Sequence, residues 1–335
     1  MTAASAQLPA TKPRFRVGPD TRTAILYLAP AFIVMGLITF WPLLFQTYMS
    51  FTDFQLRNLR PGAAAPPFVG LDNYTRILES NIGIPNFHFF RLIFFNLWWA
   101  FSNVVIHVVL GVAIAIMLNT PGLKLKRFWR AVYILPVVIP PIIVATVWRN
   151  MFDQEYGAIN QLLAVIGGAF TIPPETFQIN WLRETQDPIP FVPLPLAYFA
   201  LLTANTWLGW PLNSVVATGA LQSIPGELYE AAEMDGASSW QKFKTVTLTF
   251  LRPAMLPYAI YGFVITFNLF YLSYFMSGGQ PFGRTELLVT QAFRLVNEQR
   301  LYGLGAAFAI IMFFILLTIT LATNRLARAT ARYDA

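Results

Sequence analysis

Few side chains in this sequence could do chemistry. There are two histidines, His88 and His107, and no cysteine. Thiolate ligands, disulfides and cysteine nucleophiles are therefore excluded, and the histidine count argues against a histidine-based metal site. Ser102 precedes His107 by five positions, a spacing that puts the two on divergent faces of a helix and out of reach for nucleophilic catalysis. No G-x-x-x-x-G-K-[ST] run occurs, so the chain has no phosphate-binding loop with which to hold ATP. What remains is a charged cluster between two apolar runs. Residues 227–248 read ELYEAAEMDGASSWQKFKTVTL, with Glu227, Glu230, Glu233 and Asp235 in front and Lys242 and Lys244 behind.

The elements that must position this cluster are set by composition. Hydrophobic residues make up 56% of the 335 and charged residues only 12%, about half the charged share of a soluble domain. A helix needs about 20 apolar residues to cross a bilayer. Six stretches qualify, at about 24–50, 92–118, 131–148, 194–221, 254–277 and 303–324. The first is too long for a secretory leader and is read as retained. Pro30, Pro42, Pro136, Pro140, Pro141 and Pro211 fall inside these spans, where they kink helices whose freed carbonyls are satisfied by neighbours.

Six spans put the N-terminus, the 119–130 loop, the 222–253 loop and the C-terminus on one side. That side holds 14 of the 23 Lys and Arg residues: Lys12, Arg14, Arg16, Arg22, Lys124, Lys126, Arg127, Arg130, Lys242, Lys244, Arg252, Arg325, Arg328 and Arg332. Against six acids there, its net charge is +8, and the opposite side carries −1. The basic side is predicted to be cytoplasmic. Membrane orientation thus accounts for the basic balance without nucleic acid. None of the six cores contains Asp, Glu, Lys or Arg, which argues against an ion-coupled carrier. Uphill transport would then need another subunit to supply the energy.

In the 222–253 loop, Pro225 suits the first position of a helix and Glu227, Glu230 and Glu233 favour its N-terminal dipole. Gly236 fits a C-terminal stop, and Ser238 or Ser239 a second helix start, with Trp240, Phe243 and Val246 along one side. A helix–turn–helix outside the membrane, exposing Leu228, Tyr229 and Met234 as well, reads as a docking element for a cytoplasmic partner.

This stretch resembles the EAA motif of binding-protein-dependent ABC importer permeases: Glu230, Ala231 and Ala232, then Asp235 and Gly236, with Leu248 and Pro253 downstream. The resemblance implies that Glu230 pairs with a basic residue of an ATP-binding subunit and that Gly236 permits the turn. One departure is Leu248-Thr249 where the family has Leu-Pro, which bears on the exit angle of the second helix. LYLAPAFIVMG, SFTDF, FVGLDNY, WRAVYILPVVIPPIIVATVW and YGAIN, in this order, resemble the sugar-permease branch. NTWLGWPLNSVVATGALQSIP and MSGGQPFGRTELLVTQAFRL are similar to the larger permease subunit of maltose/maltodextrin importers.

By that resemblance, substrate contacts fall on the helices entering and leaving the loop: Asn205, Leu208, Gly209 and Leu212, then Tyr261, Val264, Ile265 and Asn268. Each set lies at i, i+3, i+4 and i+7, one face of a helix. Asn205 and Asn268 would hydrogen-bond hydroxyls, Gly209 would admit a ring close to the backbone, and Tyr261 would stack or bond. Leu212, Val264 and Ile265 depart from the family's aromatic or amide residues, so the sugar itself is left open. The competing role for an Asn in a membrane helix is a bond to a neighbouring helix.

The sequence thus predicts an all-α polytopic membrane protein, type I ABC importer-like, that is not itself an enzyme and takes no cofactor. A cytoplasmic tail covers 1–22, a permease domain 23–328 and a second tail 329–335. The implied partners are an ABC ATP-binding subunit, expected as a homodimer, a second permease subunit, an extracytoplasmic sugar-binding protein and membrane lipid. The implied cargo is maltose, maltodextrin or a related α-glucoside such as trehalose, in a bacterial inner membrane. Another oligosaccharide, glycerol phosphate, or a non-transporting membrane scaffold are the alternatives.

Overall fold

The computed structural model describes residues 19–120 and 122–331. Residues 1–18 of the predicted N-terminal tail, with Lys12, Arg14 and Arg16, and residues 332–335, with Arg332, lie outside the described residues. The described chain is helical, with one isolated antiparallel bridge between Thr52 and Phe68. The principal elements are α1 (Thr21–Ser50), α2 (Phe89–Asn119), α3 (Lys126–Val138), α4 (Pro141–Met151), α5 (Leu196–Gln222), α6 (Gly226–Met234), α7 (Ser239–Ser277) and α8 (Tyr302–Ala331).

Among the described residues, four helices are long and apolar enough to cross a membrane: α1, α2, α7, and α8 as far as Arg325. At 1.5 Å per residue, α2 is about 46 Å long, more than the hydrocarbon thickness of about 30 Å. The six expected spans are not reproduced one for one. Helix α5 is long enough, at 27 residues, but Asn205, Asn213, Ser214 and Thr218 leave it less apolar than the four.

The stretch expected as one span over 131–148 is two helices, α3 and α4, meeting at 94°. The cause is local. A residue before proline is pushed out of the helical region. Ile139 precedes Pro140 and Pro140 precedes Pro141, and both are extended, with ψ of 128° and 131°. Two consecutive restrictions turn a kink into a corner.

The core forms around α2. Its buried residues Leu92, Asn96, Trp99, Asn103, His107, Gly111, Ala115 and Leu118 recur every three or four positions, so they make one stripe. That stripe packs chiefly on α5, the most extensive helix pairing in the molecule, and α5 answers with small residues, Ala197, Ala200, Ala204 and Ala217. A Cβ on Gly111 would stand 2.9 Å from the Asn213 carbonyl carbon and the Ser214 nitrogen. Small residues that let backbones meet are how membrane helices pack without a hydrophobic driving force.

Helix α7 leaves the loop through a π-helical turn at Phe243–Thr247, carries Pro253 and Pro257 inside, and pauses at Asn268 before a second π-helical stretch at Leu272–Ser277. Asn96 fixes this pause. Its Nδ2 donates to the Phe267 carbonyl at 3.1 Å and its Oδ1 accepts from the Leu288 N–H at 2.8 Å, tying α2 to a helix end and to the short helix Leu288–Phe293.

The segment 149–193 folds around the helix Ala158–Gly168. Asn160 Nδ2 donates to the carbonyls of Gln154 and Ile179, and its Oδ1 accepts from Trp181 Nε1 at 2.7 Å. An Arg284–Asp187 ion pair at 2.7 Å joins this segment to the 278–301 loop. Within that loop Arg294 holds both Glu286 and Glu298 at 3.1 Å. Burial would lower the Arg294 guanidinium, but the two carboxylates outweigh it and its pKa is raised.

Candidate substrate path and coupling loop

The loop after α5 folds as the spacing requires. Helix α6 ends at Gly236, φ +76°, where the Gly236 N–H donates to the Glu233 carbonyl and the Ala237 N–H to the Ala232 carbonyl at 2.9 Å. These paired bonds are a Schellman stop, which needs a left-handed residue at that point. Ser238, rather than Ser239, starts α7: Ser238 and Gln241 cap each other's backbone N–H groups. Pro225 stands one position earlier than expected, as the N-cap of α6 with ψ 132°. An extended residue there still delivers the chain into the helix.

The loop presents its functional candidates outward. Glu230, Ala231, Asp235 and Gly236 are exposed and Ala232 is half-buried. Met234 is 88% and Trp240 66% exposed. Among the described residues Glu230 has no ion-pair partner, whereas Glu233 meets Lys242 at 3.6 Å. The expected apolar ridge divides: Trp240 faces out, stacked on Phe243 at 5.4 Å, while Val246 is buried with Ala115, Ala217 and Leu251. Tyr229 Oη and Thr247 Oγ1 hydrogen-bond at 2.9 Å, locking α6 to the start of α7. Beneath them a cavity of about 320 Å³ is lined by Ile116 and Asn119 of α2, Leu221 of α5, and Tyr229, Lys242 and Phe243 of the loop. The base of the loop thus packs against α2 and α5, with Val246 and Tyr229 on the cluster that holds Ala115 and Ala217.

The eight predicted substrate contacts separate into two groups. Asn205 is only 4% exposed, and its Nδ2 donates to Asn103 Oδ1 on α2 at 2.7 Å. Asn103 in turn donates to the Trp99 carbonyl at 2.8 Å. Gly209 packs against the His107 imidazole so closely that a Cβ would collide with the ring. Leu208 lies half-buried against the cluster around Trp99 and Tyr198. These three belong to the α2–α5 seam. Leu212, further along the same face, is exposed.

On α7, Tyr261 is 59% exposed and Ile265 is likewise open, with Val264 and Asn268 half-buried beside them. The Asn268 Nδ2 donates to the Val264 carbonyl at 3.0 Å. One N–H is thereby used, and an amide has a second N–H and a carbonyl oxygen to offer. Helices α5 and α7 pack on each other, so Leu212 and the α7 set belong to neighbouring elements.

The polar residues that sequence reasoning left out are Asn96, Asn103 and Ser214. Asn96, Asn103 and Gly111 fall on one face with His107, a signal present in the spacing. His107 Nε2, Trp99 Nε1 and Ser214 Oγ are buried in this seam without a hydrogen-bond partner.

Fold and loop together define a polytopic membrane protein with an exposed helix–turn–helix between two of its long helices. The chain belongs to the family of binding-protein-dependent transport system inner membrane components, whose model matches residues 107–332. It is a transport component of the membrane, not an enzyme. It is 32% identical over 262 residues to the trehalose/maltose transport system permease protein MalF of Thermococcus litoralis, covering 78% of this chain and 80% of that one. To the galactooligosaccharides transport system permease protein GanP of Bacillus subtilis it is 30% identical over 298 residues, covering 87% and 67%. To the maltose/maltodextrin transport system permease protein MalF of Klebsiella aerogenes it is 30% identical over 269 residues, 77% of this chain but only 48% of that longer relative. Its fold is that of a chain in a bacterial alginate ABC transporter crystallised with an alginate pentasaccharide-bound periplasmic protein, with a TM-score of 0.71 at 21% identity over 92% and 96% of the two chains.

Proposed function

We propose that this chain is the transmembrane permease subunit of an ATP-driven carbohydrate importer. Its cargo is an oligosaccharide or disaccharide of the maltose, maltodextrin or trehalose kind. The permease domain runs over 23–328, with cytoplasmic tails at 1–22 and 329–335, and the subunit sits in a bacterial inner membrane. It works beside a second permease subunit, an ATP-binding homodimer and an extracytoplasmic sugar-binding protein. The observation that carries this reading is the outward-facing 226–242 helix–turn–helix, whose Glu230 has no ion-pair partner among the described residues and whose base touches α2 and α5.

The mechanism is alternating access. Closure of the ATP-binding subunits pulls the loop through Glu230 and the exposed Met234 and Trp240. The Tyr229–Thr247 bond and the contacts around the 320 Å³ cavity pass that displacement to α2, α5 and α7. The sugar meets the open faces of the last two, where Tyr261 and Asn268 give hydrogen bonds and Leu212, Val264 and Ile265 give apolar contact. Asn205, Leu208 and Gly209 act behind that surface, keeping α5 seated on α2. The path has no cation on these faces to meet a phosphate, which favours a neutral sugar.

The test is sugar-stimulated ATP hydrolysis by the reconstituted complex with its binding protein. Asn268→Ala and Tyr261→Ala should each reduce the stimulation by maltose, maltodextrin or trehalose while leaving unstimulated hydrolysis as it was. Unaltered stimulation in both variants would remove the α7 face from the sugar path.

A further inference from the structure

The second half of α3 packs on α5, with Tyr133 5.5 Å from the Trp210 ring and Pro136 buried, but its first turns stand outside that contact. These turns are two-faced. Leu125, Phe128, Trp129 and Val132 lie three and four positions apart on one side, and all four are exposed. The Phe128 and Trp129 rings meet edge-on at 5.6 Å. Lys126, Arg127 and Arg130 occupy the other side, with Lys124 just ahead. Among the described residues none of these four cations is in an ion pair, and no acidic residue occurs in the sequence between Glu79 and Asp153.

A helix with a basic face and a Trp/Phe/Leu face lies in the plane of a membrane surface. The 94° corner fits that orientation: if α4 is directed across the bilayer, α3 runs along it. Three cations in its first five residues keep the start of α3 out of the hydrocarbon.

Arg130 adds a specific acceptor-seeking group. Its Nε is buried without a hydrogen-bond partner, and the residue lines a cavity of about 420 Å³ with Tyr133, Ile134, Val215, Thr218 and Gln222. A phosphate oxygen is the acceptor that suits a guanidinium N–H.

We infer that residues 124–133 form an anionic-phospholipid docking surface, with the four cations on headgroup phosphates and Leu125, Phe128, Trp129 and Val132 in the acyl boundary. Membrane insertion is all that this needs. That the leaflet is the cytoplasmic one rests on the proposed orientation.

The experiment uses the whole transporter complex in bilayers of phosphatidylcholine with a minor fraction of spin-labelled lipid, either phosphatidylglycerol or phosphatidylcholine. The wild type should hold phosphatidylglycerol preferentially in the motionally restricted population. Each cation near an anionic surface contributes about fivefold in affinity at low salt, and the preference should fall with added salt. The K124Q/K126Q/R127Q/R130Q variant should lose most of this preference while eluting as an intact complex. A wild type without preference, or a variant that keeps it, overturns the inference. A photo-reactive residue replacing Trp129 separates the occupants: lipid adducts support the assignment, and adducts only with another polypeptide assign the surface to a protein partner instead. Sugar transport enters neither readout, so failure here and failure of the importer reading are distinguishable.

Discussion

The α2–α5 seam and the 225–248 loop use similar residue types in opposite ways. In the seam, Asn103 and Asn205 turn their amides to one another and to backbone, Asn96 does the same from α2 toward α7, and Gly111 and Gly209 let the helices touch. In the loop, Glu230 and Asp235 point away from the protein, and Gly236 exists so that the chain can turn. Backbone polar groups away from water must find partners inside the fold, and these amides supply several of them. Polar groups at a docking surface must be left open for someone else. The contrast teaches that in this protein burial, more than residue identity, separates polar side chains that hold the fold from those left free for the proposed coupling.

The sharpest way to break that comparison is Asn96→Ala. It leaves the Phe267 carbonyl and the Leu288 N–H unpaired in the interior, at about 1–3 kcal/mol for each group. The purified subunit should melt well below wild type in detergent. An unchanged melting temperature would mean that Asn96 is not the tie between α2 and α7.

Next is Gly209→Ala, whose new methyl group strikes the His107 ring. Overpacking of this kind costs about 1–3 kcal/mol. Because the obstacle is a side chain, adding His107→Ala should restore part of the loss, a coupling read from the four melting temperatures of the cycle. Independent losses that simply add would show that the two do not press on each other.

Asn205→Ala should cost less, about 0.6–2 kcal/mol for an interhelical bond in a membrane protein. The same substitution at Asn268, which bonds to its own helix through the Val264 carbonyl, should leave melting near wild type. Equal losses at the two sites would erase the distinction drawn between seam and path.

The smallest effect belongs to Asp153. The Tyr156 and Glu155 N–H groups hold its carboxylate below the usual pKa, so it favours the folded turn above the ordinary carboxylate range, and that contribution is lost as pH falls through its own lowered pKa. Amide exchange at 155–157 should quicken in Asp153→Asn at neutral pH and approach the wild-type rate in acid. A difference that persisted unchanged into acid would contradict this.

Much of this was legible in the sequence, for physical reasons that also mark where it stopped. Gly236 and Ser238 announce their roles because turn and cap geometry admit few residue types. Long apolar runs announce α1, α2 and α8 because a bilayer demands them. The break at Pro140-Pro141 was visible as prolines but not as a right angle, since a kink and a corner begin with the same residues. Helix α5 was read as a span from its length, while its polar content reflects the seam it shares with α2. Asn205 and Asn268 could not be told apart, because helical spacing says which residues share a face and not which helix covers it.

In the proposed coupling, the exposed loop carries force into the membrane helices through Glu230. The most direct measurement is sugar uptake and ATP hydrolysis, recorded together in proteoliposomes of the full complex, for wild type and Glu230→Ala. The account predicts that Glu230→Ala inserts and assembles normally but loses uptake per ATP hydrolysed by at least an order of magnitude, with the melting temperature unchanged because exposed substitutions shift stability by only about 0.5 kcal/mol. Uptake at the wild-type ratio would contradict it.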